Sequence, residues 1–169
     1  MHLRAATPDD RELLHRLLFE AFNWADEPAL THAQMEADPQ VMHYVTGWQR
    51  PSDFGTVAID EAGDPLGAVW ARVFPADDPG YGYVDVDVPE LSMAVLPGHR
   101  GRGIGRALLR AVADQALALG WEQLSLSVED DNWAASLYTS VGFRVVGRNG
   151  GSDTMVLDLY ASDTADAHG

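Results

Sequence analysis

The sequence contains no cysteine and no lysine. The first absence removes disulfides, thiolate metal sites and a cysteine nucleophile together. The second removes the Walker phosphate loop, which needs its lysine, and Schiff-base chemistry through a protein amine. Long apolar runs are missing too, so no segment approaches the length that spans a bilayer. The opening MHLRAATPDD has no secretory apolar core, and a cytoplasmic protein with no membrane partner is the expectation. Positive charge is scarce. The 11 basic residues are all arginine and face 26 acids, for a net charge of −15. That balance disfavours nucleic acid and anionic membranes as partners and attracts cationic molecules. It suits a salty cytoplasm or a GC-rich genome equally well, so acidity alone names no substrate. His32, His43 and His99 show no metal-ligand spacing; they read as surface or core residues, and no metal is expected.

What remains is a globular balance of 46% hydrophobic and 22% charged residues in 169. That is enough for one domain with a sizeable core. Residues 1–160 read as that domain, and 161–169 as a small, polar, fraying tail. Strand and helix patterns alternate, which argues for α/β or α+β. Residues 2–6 suit a short strand. Thr7-Pro8-Asp9-Asp10 starts a helix whose apolar stripe is Leu14, Leu17, Leu18, Ala21 and Phe22. Thr31 to about Val45 reads as helical, interrupted at Pro39. Thr56–Asp60 and Leu66–Phe74 suit a hairpin. Residues 75–89 read as a loop with a strand near Tyr83–Val86.

Leu91–Leu96 is an apolar strand, and a helix follows from about Ile104 to Leu119. Its inward residues are Leu108, Leu109, Val112, Ala116 and Leu119, with Gly120 as the cap. Glu122–Val128 alternates as a strand, implying a parallel pair with a right-handed crossover. A short helix runs from Asp131-Asn132 to Gly142. Phe143–Gly147 and Thr154–Tyr160 form a last hairpin.

Chemistry concentrates at Arg100–Gly105, RGRGIG, between a strand and a helix. Glycines at 101, 103 and 105 allow close backbone approach and positive φ. The amides of the following helix start, with its dipole, make an anion site. Arg100, Arg102, Arg106 and Arg110 reverse the local charge of an acidic chain, which points to a phosphate-bearing ligand. A dinucleotide fold would want G-x-G-x-x-G, and the spacing here is G-x-G-x-G. A plain glycine-rich turn with solvated arginines stays open at this point.

The stretch Leu91–Arg106, LSMAVLPGHRGRGIGR, resembles the acetyl-CoA motif of the GNAT superfamily of N-acetyltransferases. That motif is a strand ending in Val-x-Pro, then R-x-x-G-x-G opening a helix. Asn132–Phe143, NWAASLYTSVGF, is similar to the family's N-x-x-A-x-x-L-Y-x-x-x-G-F segment, with one spacing tighter. The resemblance covers nearly the whole chain. It implies a mixed, mostly antiparallel twisted sheet of six to seven strands, with a central parallel pair splayed at the acetyl-CoA site and about four helices on its faces. It also implies direct transfer of acetyl from acetyl-CoA to a primary amine in a ternary complex, and an association into homodimers.

Carried over residue by residue, Met93, Ala94 and Val95 contact the pantetheine arm. Arg100, Gly101, Arg102, Gly103, Ile104 and Gly105 hold the pyrophosphate, with Arg106 beside them. Asn132 hydrogen-bonds the pantetheine or simply caps its helix. Tyr138 stands in the general-acid position, able to protonate the leaving thiolate. The amine needs a base, and Glu90 is the first candidate, sharing a strand face with Ser92 and Ala94. Asp87 or a water chain is the alternative. An amide near Ala94 or Val95 is left to meet the oxyanion. Residues 23–54, 75–89 and 148–153 wall the acceptor side, with aromatic and acidic residues that suit a small-molecule or peptide amine. The alternative is an acyl-CoA-binding module that keeps RGRGIG and needs neither Tyr138 nor Glu90.

Overall fold

Thr7-Pro8-Asp9-Asp10 does start the first helix, through a short 3-10 turn at Pro8–Asp10 that leads into α1 (Arg11–Phe22). Asp10 accepts the Thr7 amide at 2.7 Å and is clamped by Arg4 at 2.8 and 2.7 Å. That pair ties the helix start to β1 (His2–Ala5). The computed structural model describes residues 1–159; the expected tail at 161–169 and the last residue of the expected final strand, Tyr160, lie outside them.

Pro39 divides the second helical stretch in two. Thr31 caps α2 (His32–Ala37), accepting the Gln34 amide at 3.1 Å. Asp38 then caps α3 (Pro39–Met42), with proline at its start. With this split the described residues hold five α-helices, in line with the expected about four once α2 and α3 are taken as one divided stretch. β2 (Phe54–Ile59) and β3 (Pro65–Arg72) form the expected hairpin. β4 (Glu90–Val95), α4 (Ile104–Ala118) and β5 (Gln123–Glu129) follow, then α5 (Ala134–Val141) and the hairpin β6 (Arg144–Asn149) and β7 (Ser152–Asp158).

The seven-stranded sheet runs β1-β2-β3-β4-β5-β7-β6. All neighbours are antiparallel except β4 and β5, which are parallel and share a single register pair, Glu90–Ser125. Past that pair the two strands part, leaving the β5-facing edge of β4 free from Leu91 to Val95. One sheet face carries Val69, Leu91, Val95, Leu124 and Leu126 against Leu108, Leu109 and Val112 of α4. The other carries Val57, Ala68, Trp70 and Ala94 against Leu14, Leu17 and Leu18 of α1. Both sides of the sheet are therefore covered, and each apolar stripe removes its area from water.

Some expectations fail for identifiable reasons. No strand forms at Tyr83–Val86: the segment is loop and turn, with Val84 and Val86 exposed. Leu119 is 60% exposed because it lies past the last turn of α4, where the chain bends out at Gly120 with φ +92°. Ala21 and Phe22 are half-buried; they pack against the core as the stripe expects and also border a cavity.

Candidate active site

After β4 the chain turns through Gly98, Gly101 and Gly103, whose φ values are +88°, +79° and +80°. A side chain at these positions would be strained by backbone conformation alone, since no atom lies near the Cβ position. Gly103 caps α4, and its carbonyl accepts the Ala107 amide at 3.1 Å. The first amides of α4 are left facing outward. Gly105 is different from expectation. It lacks positive φ, and a Cβ there would meet Leu137 at 3.0 Å and Met93 at 3.5 Å. It is small so that α4 can pack on α5 and β4.

Between this loop and the free edge of β4 lies a cavity of about 290 Å³. Met93, Ala94 and Val95 form its strand side; Arg100, Gly101, Gly103, Ile104, Gly105 and Arg106 form its loop side; Asn132 and Tyr138 close it from α5. Arg102 and Arg110 are exposed and border neither this cavity nor the next, so the four-arginine cluster resolves into a pair that borders the cavity and two solvated side chains. Asn132 accepts the Ala134 amide at 2.9 Å, so it caps the start of α5 while its side chain borders the cavity. An open strand edge, a glycine turn, a helix start and Arg100 with Arg106 suit a long ligand with an amide-rich arm and an anionic end. Acetyl-CoA has that form.

A second cavity of about 350 Å³ meets the first at Trp24, Met93, Asn132 and Tyr138. Glu90 and Tyr138 both line it. Glu90 is 3% exposed, and burial pushes its carboxyl up to about 7. The Tyr44 hydroxyl donates to Oε2 at 2.5 Å and counters that shift in part, as does the Gly82 amide, which faces the carboxylate without meeting hydrogen-bond geometry. Oε1 is buried with no partner. Tyr138 is buried against Phe143, ring centroids 5.8 Å apart, and burial pushes its phenol up to about 12. It is therefore a protonated donor at neutral pH, lining the same cavity as the Glu90 carboxyl.

Asp87 does not join this group. It is exposed, lines neither cavity, and its amide donates to Asp85 at 3.1 Å in a surface turn. β4 begins at Glu90, which leaves Asp87 off the strand. Tyr44, which sequence reading placed only in the wall, is the residue that touches the carboxylate. Its hydroxyl also accepts the Tyr81 amide at 2.7 Å. Gly80 and Gly82 are needed by close approach: a Cβ at Gly80 would meet Oε1 of Glu90 at 2.1 Å, and one at Gly82 would meet the Leu126 backbone at 2.4 Å. The glycines alternating in Pro79-Gly-Tyr-Gly-Tyr83 were the signal for that packing. Among the described residues, no cluster of histidine and carboxylate side chains could hold a metal ion.

The family model for acetyltransferases of the GNAT family matches residues 11–143. The chain is 31% identical over 144 residues to a mycothiol acetyltransferase of Amycolatopsis mediterranei, a match that covers 83% of this chain and 45% of that protein. The chain thus spans less than half the length of the curated relatives it matches. Among solved structures, an N-acetyltransferase from Staphylococcus aureus Mu50 superposes with a TM-score of 0.67 at 21% identity, over 94% of this chain and 98% of that one. A phosphinothricin acetyltransferase from Sinorhizobium meliloti, solved with AcCoA, gives 0.63 at 22%, over 93% and 87%. These likenesses establish the shared fold.

Proposed function

This chain belongs to the GNAT family of acetyltransferases, and we propose that it transfers the acetyl group of acetyl-CoA to a primary amine. The observation that carries this reading is the meeting of the two cavities at Tyr138, with Glu90 on the floor of the second. Bound at the RGRGIG loop, acetyl-CoA supplies an activated acetyl thioester. The amides of Arg100 to Gly105 hold its phosphates with Arg100 and Arg106, and the free edge of Met93–Val95 pairs with its arm. Glu90, directly or through a water, takes the proton of the acceptor's ammonium. The freed lone pair attacks the acetyl carbon, the carbon–sulfur bond breaks, Tyr138 donates its proton to the departing sulfur, and the proton that the new amide nitrogen sheds returns to the tyrosinate. A β4 amide near Ala94 or Val95 meets the charge that develops on the acetyl oxygen. Asn132 orients the arm from the α5 side.

The name of the similar mycothiol acetyltransferase adds support for a small-molecule acceptor. We place the protein in the cytoplasm as a homodimer; among the described residues no helix is long and apolar enough to cross a membrane. The test is an amine panel with free CoA as the readout. Wild type releases CoA only when an amine is present, and Tyr138→Phe and Glu90→Gln slow that release while still binding acetyl-CoA. Binding without release on any amine would leave an acyl-CoA-binding module instead.

A further inference from the structure

We propose that the acceptor is a primary amine with an apolar or aromatic body and no carboxylate beside its nitrogen, an inference that rests on the acetyltransferase reading above. The sign of charge in the acceptor cavity carries it. Glu90 and Glu129 are its charged lining; among the described residues, no arginine or histidine borders it. Arg100 and Arg106 line the adjoining cavity, and Arg72 and Arg148 are committed elsewhere. Arg72 stands opposite Glu90 in the β3–β4 register, on the same sheet face. It is 1% exposed, donates to Asp53 at 3.1 and 2.7 Å, and donates to the carbonyls of His43 and Thr46 at 2.8 and 2.7 Å. Arg148, at the β6–β7 hairpin, donates to Asp130 and to Asp153, each at 2.7 Å. A carboxylate entering this cavity finds no cation to pair with. It also meets Glu90, whose Oε1 is already buried without a partner. An ammonium finds the reverse.

The shape of the cavity selects the rest of the molecule. Phe22 and Tyr81 meet edge to face with centroids 6.2 Å apart, and Tyr81 and Tyr44 lie nearly parallel at 6.3 Å. This aromatic wall ends at Glu90 through the Tyr44 hydroxyl. Ring faces attract a cation and also pack an apolar body. The wall is fixed from both sides: the Tyr81 amide donates to Tyr44, and Asn149 donates to the Tyr81 carbonyl at 3.2 Å. A volume of about 350 Å³ is at the small end of the range for small-molecule sites, too small for a folded peptide segment.

Phenethylamine and phenylalanine share ring and amine and differ by the carboxylate, which makes them the deciding pair. With acetyl-CoA saturating, kcat/KM for phenethylamine should exceed that for phenylalanine by roughly 10- to 100-fold, the penalty expected for an unpaired buried charge. Glu129→Arg, which supplies the missing cation at the mouth, should narrow that ratio. Equal rates, a preference for phenylalanine, or a ratio unmoved by Glu129→Arg would overturn the inference while the acetyltransferase reading stood. Calorimetric binding of the same pair to the protein separates the failures. Phenethylamine that binds the more tightly but releases no CoA would sustain the ligand class and sink the transfer reaction. Failure of phenethylamine to bind would overturn the inference.

Discussion

Glu90 holds one hydrogen bond, from Tyr44, in a place that leaves it 3% exposed. Because burial raises its carboxyl to about 7, the fold favours the neutral form. The stabilisation linked to that proton is fully present below the ordinary carboxyl range near 4.5 and is lost as pH rises through about 7. The loss is on the order of 3 kcal/mol. Glu90→Gln keeps an acceptor for Tyr44 and removes the charge. It should therefore raise the thermal midpoint at pH 8 but not at pH 4, while amine-dependent CoA release falls by roughly 10²- to 10⁴-fold. Calorimetry at both pH values checks the first part; an unchanged midpoint at pH 8 would contradict it. Tyr44→Phe removes the one hydrogen bond that favours the charged base. The acid limb of kcat/KM should move upward by about one pH unit. A purely structural role for Tyr44 would lower activity without moving that limb.

At the scale of elements, the site exists because β4 and β5 share one register pair and then part. The loop after β4 builds one cavity in the opening, and residues 75–89 cross over the other. Substitutions in the two loops should separate accordingly. Gly103→Val strains a position with φ +80° and should weaken acetyl-CoA binding by about tenfold or more, read by calorimetric titration. Gly82→Ala pushes the crossing loop from β5, where a Cβ would meet Leu126 and Ser127 backbone at 2.4 and 2.6 Å. It should raise KM for the amine and leave acetyl-CoA affinity nearly unchanged. The first of these elements was legible in the sequence and the second was not. The strand, the glycine turn and α4 occupy one continuous stretch whose periodicity and punctuation announce it. Residues 75–89 have no period to read: their alternation at Tyr83–Val86 imitates a strand, but the loop is ordered by contacts with distant residues. The Tyr44–Glu90 bond joins positions 46 apart, and nothing local to either residue encodes it. Strand-face alternation ranks Glu90 ahead of Asp87, and the start of β4 at Glu90 leaves Asp87 off the strand.

Across the whole molecule, a net charge of −15 surrounds a core packed on both sheet faces. Self-repulsion of that magnitude destabilises the compact state and is screened by salt. Raising sodium chloride from about 10 mM to about 500 mM should raise the thermal midpoint at pH 8, through Debye lengths of roughly 30 Å down to a few Å. A midpoint that falls with salt would mean that the paired arginines outweigh the net field. The most direct test of the account is the pH dependence of kcat/KM for amine-dependent CoA release, wild type beside Glu90→Gln. The account predicts a wild-type rate that rises through about pH 7 and a variant in which that rise is absent. No amine-dependent release, or the same rise in both proteins, would contradict it.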